Sequence, residues 1–65
     1  MLLRIKQLRS DMGVSQSDLA RKSGYTHSQI WRWENERELP GAKAITDLII
    51  ALEVEPNDIF EGEWV

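Results

Sequence analysis

Residues 16–35 constrain the fold of this chain more than any other part of the sequence. They form two short segments, each with an apolar inner face. Gly24 lies between the segments, where a sharp turn calls for a residue that tolerates positive φ. The small side chain of Ala20 in the first segment allows a second helix to cross closely, and Ile30 and Trp33 of the second segment can point back towards it. This pattern predicts two helices joined by a tight turn.

Hydrogen-bonding side chains mark where each of these helices begins. Ser15 is followed three residues later by Asp18, and Thr26 is followed three residues later by Gln29. In such a capping box the hydroxyl accepts a hydrogen bond from a backbone N–H of the first turn, and the later side chain accepts one from the N–H of the hydroxyl residue. The two pairs therefore predict that one helix follows Ser15 and the next follows Thr26.

Apolar residues also recur at helical spacing before and after this central pair, which predicts three further helices. The first ends at Gly13, the fourth follows Pro40–Gly41, and Pro56 suits the first turn of a short fifth helix. No alternating apolar run predicts a strand. Because 65 residues form one domain at most, we expect a single all-α domain over residues 1–65, a compact bundle of about five short helices. The apolar residues that define these outer helices are Leu2, Ile5, Leu8, Met12, Ile45, Leu48, Ile49, Leu52, Ile59 and Phe60.

Composition excludes several classes of function. The chain has no cysteine and a single histidine, His27, so neither a disulfide nor a metal cluster is expected, and no cofactor either. It has no glycine-rich phosphate loop, and a bundle this small should lack a deep pocket, so we do not expect an enzyme. No run of about 18 apolar residues predicts a transmembrane helix. The N-terminal residues lack the apolar core of a signal peptide, and a cytoplasmic protein is therefore the expectation.

Charge is distributed unevenly, although the formal net charge is −3. Residues 1–33 carry six Lys or Arg against two Asp, whereas residues 34–65 carry two Lys or Arg against nine Asp or Glu. A chain with this polarity can turn its basic end towards a polyanion. Chance clustering of solvated surface charges is the alternative interpretation.

Taken together, these features resemble the Cro and phage-repressor (lambda-repressor-like) type of helix-turn-helix domain over essentially the whole chain. In that motif, residues 16–35 here, the second helix lies in a DNA major groove. The resemblance implies a bacterial or phage DNA-binding regulator, expected to be a repressor, that binds a two-fold operator as a homodimer. A protein-interaction module on the same fold, antitoxin-like or coactivator-like, is the alternative. The resemblance rests on Ile5, Leu8, Arg9, Val14, Ser15, Gln16, Leu19, Ala20, Gly24, Ile30, Trp33, Glu34, Pro40 and residues 51–54.

The resemblance implies base contacts at three positions on the outward face of the second motif helix: His27, Ser28 and Arg32. The guanidinium of Arg32 can bond O6 and N7 of one guanine together, and the alternative is a solvated ion pair with Glu36 one helical turn away. His27 can donate to a guanine or a phosphate, and Ser28 is small and adaptable. For both, ordinary solvated surface is the alternative interpretation.

Phosphate contacts are expected around this face. Gln16 opens the first motif helix, where its amide and the unpaired backbone N–H groups can hold a phosphate oxygen. Trp31 exposes apolar area on an outward face, so it is expected at the DNA edge, at a protein partner, or covered by its neighbours. The remaining phosphate contacts that the resemblance implies are Thr26, Gln29, Asn35 and Arg37.

Arg9 and Glu34 correspond to a pair that, in the resembling family, joins the first helix to the end of the third, so we assign them a structural role. Glu36 departs from the family pattern, which has glycine there. Because glutamate resists positive φ, we expect Asn35 to adopt that conformation instead. The acidic residues of this loop, Glu36 and Glu38, should also weaken binding to DNA.

The end of the chain is rich in large apolar residues, which termini seldom carry unless something covers them. The family that this chain resembles often dimerises through this region. We therefore expect a symmetric dimer interface with Trp64 at or near its centre, and Trp64 folded back onto the first helix is the alternative. The expected interface residues are Ile59, Phe60, Trp64 and Val65.

Overall fold

The structure, a computed structural model, describes residues 3–60. Within that range the chain forms four α-helices and one short 3₁₀ helix, in the order α1 (Ile5–Met12), α2 (Gln16–Ser23), α3 (His27–Glu34), α4 (Ala42–Leu52) and the 3₁₀ turn Pro56–Ile59. The predicted all-α bundle is confirmed. The fifth predicted helix lies where it was expected, but it is a single 3₁₀ turn.

Both predicted capping boxes are present. The Ser15 hydroxyl accepts from the backbone N–H of Asp18 at 3.0 Å, and the Asp18 carboxylate accepts from the backbone N–H of Ser15 at 3.4 Å. At the start of α3, the Thr26 hydroxyl accepts from the backbone N–H of Gln29 at 3.1 Å, and Gln29 Oε1 accepts in return from Thr26 at 3.0 Å. These bonds satisfy N–H groups that a helix start otherwise leaves unpaired, so the sequence defines both starts.

All four α-helices end in the same way, with one residue in the left-handed region. These residues are Gly13 (φ 70°), Gly24 (φ 82°), Glu36 (φ 57°) and Glu53 (φ 56°), and the positive φ predicted for Gly24 is confirmed. In each case this residue and the next donate backbone hydrogen bonds to carbonyls of the last turn, for example from Arg37 to Arg32 at 2.8 Å. The arrangement satisfies the free carbonyls of the helix end.

The end of α3 contradicts the expectation for Asn35, which has φ −99°, and Glu36 itself takes the positive φ. The physical reason is that the two backbone bonds closing α3 require the left-handed residue at this position. The Asn35 amide donates instead to the Trp31 carbonyl at 2.8 Å.

The core lies where all the helices meet, and α2 packs against both α3 and α4. Ala20 is buried, in agreement with the close helix crossing that its size predicts. Met12 was expected on the inner face of α1, but it is 37% exposed in the last turn. The buried apolar residues are Ile5, Leu8, Leu19, Ala20, Ile30, Trp33, Ala44, Leu48, Ala51, Leu52 and Ile59.

The two ends of the described chain meet. Leu3 and Phe60 form an antiparallel β-bridge, and the backbone N–H of Arg4 donates to the Ile59 carbonyl at 2.7 Å. The 3₁₀ turn is thereby attached to the start of α1. No helix in residues 3–60 has the length and apolar character needed to span a bilayer.

Candidate nucleic-acid interface

The outward face of α3 presents the three residues that were expected to read bases. Ile30 and Trp33 hold the opposite side of the helix in the core. His27, Ser28 and Arg32, together with Trp31, line one open depression of about 360 Å³. The capping box at Thr26 fixes where this helix starts, and therefore which side chains occupy its first turn.

Trp31 is 46% exposed and lines this depression. The arrangement gives the outward face an apolar wall beside polar groups. A surface of this kind can contact a sugar or a thymine methyl group, as well as the side chain of another protein.

A series of side-chain hydrogen bonds connects this face to the interior. Gln16 Oε1 lies 2.7 Å from His27 Nε2, and Gln16 Nε2 donates to Glu34 Oε1 at 3.0 Å. The first residue of α2 is thus bonded to both the first and the last residue of α3. Since Gln16 is only half-buried, it sits at the edge of the face.

Arg9, on α1, extends this series of hydrogen bonds. Its Nε donates to Glu34 Oε2 at 2.8 Å, its Nη2 donates to Glu34 Oε1 at 3.1 Å, and its Nη1 donates to the Val14 carbonyl at 3.0 Å. The Arg9 and Glu34 side chains are 15% and 1% exposed. The hydrogen bonds to Glu34 raise the pKa of Arg9 above its ordinary value, while burial acts in the opposite direction. The pair joins α1 to the C-terminal end of α3.

Arg32 has a neighbour that the sequence did not indicate. Its Nε lies 3.8 Å from Glu38 Oε2, whereas the sequence alternative was an ion pair with Glu36. The same Glu38 oxygen accepts from Trp33 Nε1 at 3.3 Å. Arg32 Nε is buried and makes no hydrogen bond to any residue in the described range. The guanidinium is therefore held near a carboxylate that does not fully satisfy it.

The residues expected at phosphates are placed around the rim of the face with different degrees of freedom. Gln29 and Thr26 bond to each other in the cap of α3. Asn35 donates to the Trp31 carbonyl, and Gln16 bonds to His27 and Glu34 as described above. Arg37 is exposed. Within residues 3–60, each of these side chains except that of Arg37 thus has a hydrogen-bonded partner already.

The residues expected at a dimer interface differ in position. Ile59 has no exposed surface, so it can support an interface only from within the core. Phe60 is half-buried and lies opposite Leu3. Trp64 and Val65 fall outside the described residues.

Sequence reasoning named Glu38 among the loop acids that should weaken DNA binding, but it missed the contact between Glu38 and Arg32. No periodic signal pointed to this contact, because Glu38 lies in the loop after α3, where side-chain direction depends on the turn at Glu36. The bond between Gln16 and His27 was also missed. Only the angle between α2 and α3 brings these two side chains together.

The helix-turn-helix domain family matches residues 2–59 of this chain. A search of curated proteins found no match. Several solved structures are similar over most of both chains. The restriction-modification controller protein C.AhdI from Aeromonas hydrophila is 33% identical, with a TM-score of 0.84, and the match covers 88% of this chain and 86% of that chain.

Two further similar structures were solved with DNA. SinR, a master regulator for biofilm formation, was solved in complex with DNA; it is 31% identical, with a TM-score of 0.78 over 83% of this chain and 87% of that chain. The P22 c2 repressor was solved in complex with a synthetic operator. It is 25% identical, with a TM-score of 0.81 over 92% of this chain and 91% of that chain.

Proposed function

This chain belongs to the helix-turn-helix domain family, in the group of Cro and phage repressors, and on that premise we propose that it is a sequence-specific DNA-binding regulator of transcription. One observation carries the proposal: His27, Ser28 and Arg32 share a single depression on the exposed face of α3. A helix that buries one face and presents short polar and cationic side chains on the other matches what a major groove admits and can pair with.

Arg32 is the strongest candidate for a base contact. A bidentate bond to guanine O6 and N7 contributes about 1–3 kcal/mol of discrimination. Its buried, unsatisfied Nε and its distance of 3.8 Å from Glu38 support a side chain that gains hydrogen bonds when DNA arrives. Ser28 lies one turn earlier on the same face and can approach a base edge closely because it is small.

We assign phosphate contacts to the rim of this face: Gln16, Thr26, Gln29, Asn35 and Arg37. Phosphate contacts fix register and orientation without reading sequence. The helix starts at Gln16 and His27 add backbone N–H groups and positive partial charge. Arg37 is flanked by Glu36 and Glu38, so we expect the attraction of this loop to DNA to be modest.

We further propose that the protein acts as a homodimer on a two-fold operator, and as a repressor in the cytoplasm. Helix-turn-helix dimers place two recognition helices about 34 Å apart to read two half-sites. Sedimentation with duplexes that carry one or two half-sites tests this. Two chains should bind the double site cooperatively, whereas independent binding of single chains would contradict the dimer.

A protein-interaction module on the same fold is the second candidate. The exposed ring of Trp31 and the acidic residues 36 and 38 favour it. The two functions differ in their response to salt, because each phosphate contact releases counterions and makes DNA binding weaken steeply as salt rises.

The deciding experiment is selection of bound sequences from random duplexes, followed by affinity measurements at two salt concentrations. Arg32→Ala should weaken binding to the selected site by about 1–3 kcal/mol and relax one base pair per half-site. Arg37→Ala should weaken binding to all sequences alike. It should also reduce the slope of log affinity against log salt concentration by about one. Lys43→Ala, at an exposed position of α4, serves as the control. Failure to select any sequence would contradict the proposal.

A further inference from the structure

We infer that Gln16 and Glu34 fix the tautomer of His27, so that the neutral ring presents Nδ1 to DNA as a hydrogen-bond acceptor and prefers a base with an exocyclic amino group, adenine or cytosine. This inference rests on the proposed function, because it concerns how α3 reads a base. It assigns positioning roles to Gln16 and Glu34 and a specificity-determining role to His27.

The carboxylate of Glu34 can only accept hydrogen bonds. Its Oε1 accepts from Arg9 Nη2 at 3.1 Å and from Gln16 Nε2 at 3.0 Å. The amide of Gln16 has one donating and one accepting end, and the carboxylate requires the donating end on its side. The orientation of the Gln16 amide is therefore determined from within the bundle.

The orientation of the Gln16 amide decides which nitrogen of His27 carries the proton. With Nε2 of Gln16 turned to Glu34, the atom that lies 2.7 Å from His27 Nε2 is Oε1, which can only accept. The hydrogen of this bond must then be carried by His27 Nε2. A neutral imidazole carries one N–H, so Nδ1 is left with a lone pair.

The lone pair on Nδ1 of His27 is free to accept a hydrogen bond from DNA. His27 is exposed, lines the depression on α3, and makes no hydrogen bond through Nδ1 within residues 3–60. In the major groove, adenine N6 and cytosine N4 are donors, whereas guanine offers the acceptors N7 and O6. A lone pair on Nδ1 is attracted to the former and repelled by the latter, and also by phosphate oxygens. From the sequence, His27 was expected to donate to a guanine or a phosphate. For the neutral ring we infer instead that Nδ1 accepts from adenine or cytosine.

The tautomer can be measured without DNA. The ¹⁵N chemical shifts of the two ring nitrogens of His27 show which one carries the proton, and the spectrum is recorded at about pH 8, above the range in which histidine ordinarily titrates. We expect protonated Nε2 and unprotonated Nδ1 in the parent chain. Gln16→Met removes the acceptor and should shift the ring towards a mixture of tautomers. Gln7→Met makes the same change at an exposed site on α1 and should leave the ring unchanged. A proton on Nδ1 in the parent would overturn the inference.

The base preference is then measured by selection from random duplexes at the same pH, with the parent, Gln16→Met, His27→Ala and Gln7→Met. The parent and Gln7→Met should select adenine or cytosine at one position per half-site. His27→Ala should lose that preference alone and bind the selected site about 5- to 100-fold more weakly. Gln16→Met should accept guanine there as well.

The outcomes separate the two proposals. Guanine selected by the parent at the position that His27→Ala relaxes would overturn the readout while leaving the DNA-binding function intact. Selection of no sequence by any variant would overturn the DNA-binding function and the readout together, while the ¹⁵N spectra would still decide the tautomer.

Discussion

The Tyr25 hydroxyl donates a hydrogen bond of 2.6 Å to Asp47 Oδ2, and this bond attaches the turn between α2 and α3 to the middle of α4. The Tyr25 ring also packs edge-on against Trp33, with centroids 5.1 Å apart. Lys43 Nζ lies 3.0 Å from the same carboxylate oxygen. The turn that orients α3 is thus held by a side chain of a helix that is distant in sequence.

Acid stability should depend on this contact. The hydrogen bond from Tyr25, and secondly that from Lys43, lower the pKa of Asp47 below its ordinary value of 3.8. A carboxyl with a lowered pKa in the folded state stabilises the fold at higher pH, and the contribution is lost as pH falls through the folded-state pKa. Tyr25→Phe should therefore lower the melting temperature at neutral pH and make its decline below about pH 4 shallower. Thermal denaturation from pH 7 to pH 2 measures this.

Lys43→Met is the matched control for that experiment, because it removes the second partner of Asp47 from an exposed position. Its effect on the decline of the melting temperature at acid pH should be smaller than that of Tyr25→Phe. An equal decline in the parent and in Tyr25→Phe would contradict the assignment.

At high pH the dependence has the opposite sign. The hydrogen bond to Asp47 raises the pKa of Tyr25 above 10.0. The stabilisation is therefore present below that value and is lost as pH rises through the folded-state pKa.

The pair of Arg9 and Glu34 should dominate the stability of the fold. Removing one member leaves the other charge buried, which costs about 3–5 kcal/mol. A domain of this size has a comparable total stability, about 3–5 kcal/mol, so Arg9→Ala or Glu34→Ala should be largely unfolded at 37 °C. Replacement of both by Met and Leu should be milder. Arg21→Ala, which breaks an exposed pair with Asp18, should leave the melting temperature nearly unchanged. Urea denaturation distinguishes these cases.

Glu38 should oppose DNA binding by holding Arg32. Glu38→Gln keeps an acceptor for Trp33 Nε1 but removes the charge beside Arg32 Nε. Affinity for the selected duplex should rise by up to about fivefold, the equivalent of losing one partly exposed ion pair. Glu36→Gln removes the same charge from the same loop without touching Arg32, so it reports the general electrostatic effect. The two variants would bind equally if Glu38 did not restrain Arg32.

Glu36→Gly should stabilise the fold. A side chain in the left-handed region costs about 1–2 kcal/mol, and the greater freedom of glycine in the unfolded chain cancels part of the relief, leaving a gain of roughly 0.5–1 kcal/mol. Glu36→Ala retains the strain and should give no gain. Glu55→Gly, at φ −77°, should destabilise. Melting temperatures of the three variants test the assignment of strain to Glu36, which an equal gain from Ala and Gly would refute.

The amino-acid sequence determined the local structure of this protein. Helix starts are local events, because Ser15 with Asp18 and Thr26 with Gln29 satisfy backbone N–H groups within three residues. Helical periodicity identified most of the core in the same way, since burial of one face is recorded in the spacing of residues such as Leu8, Ile30 and Leu48. The outward position of His27, Ser28 and Arg32 follows from that same periodicity once Ile30 and Trp33 are buried.

Only the tertiary structure decided how these elements meet. The bonds from Gln16 to His27 and Glu34, and from Tyr25 to Asp47, join residues from different helices, and they depend on crossing angles that no local pattern encodes. The conformation of Glu36 went against its own preference, because two backbone hydrogen bonds at the end of α3 required positive φ there. The conformational preference of one residue amounts to about 1–2 kcal/mol of free energy. Where closing a helix end or pairing a buried charge contributes more free energy than that, the packed structure overrides the local preference.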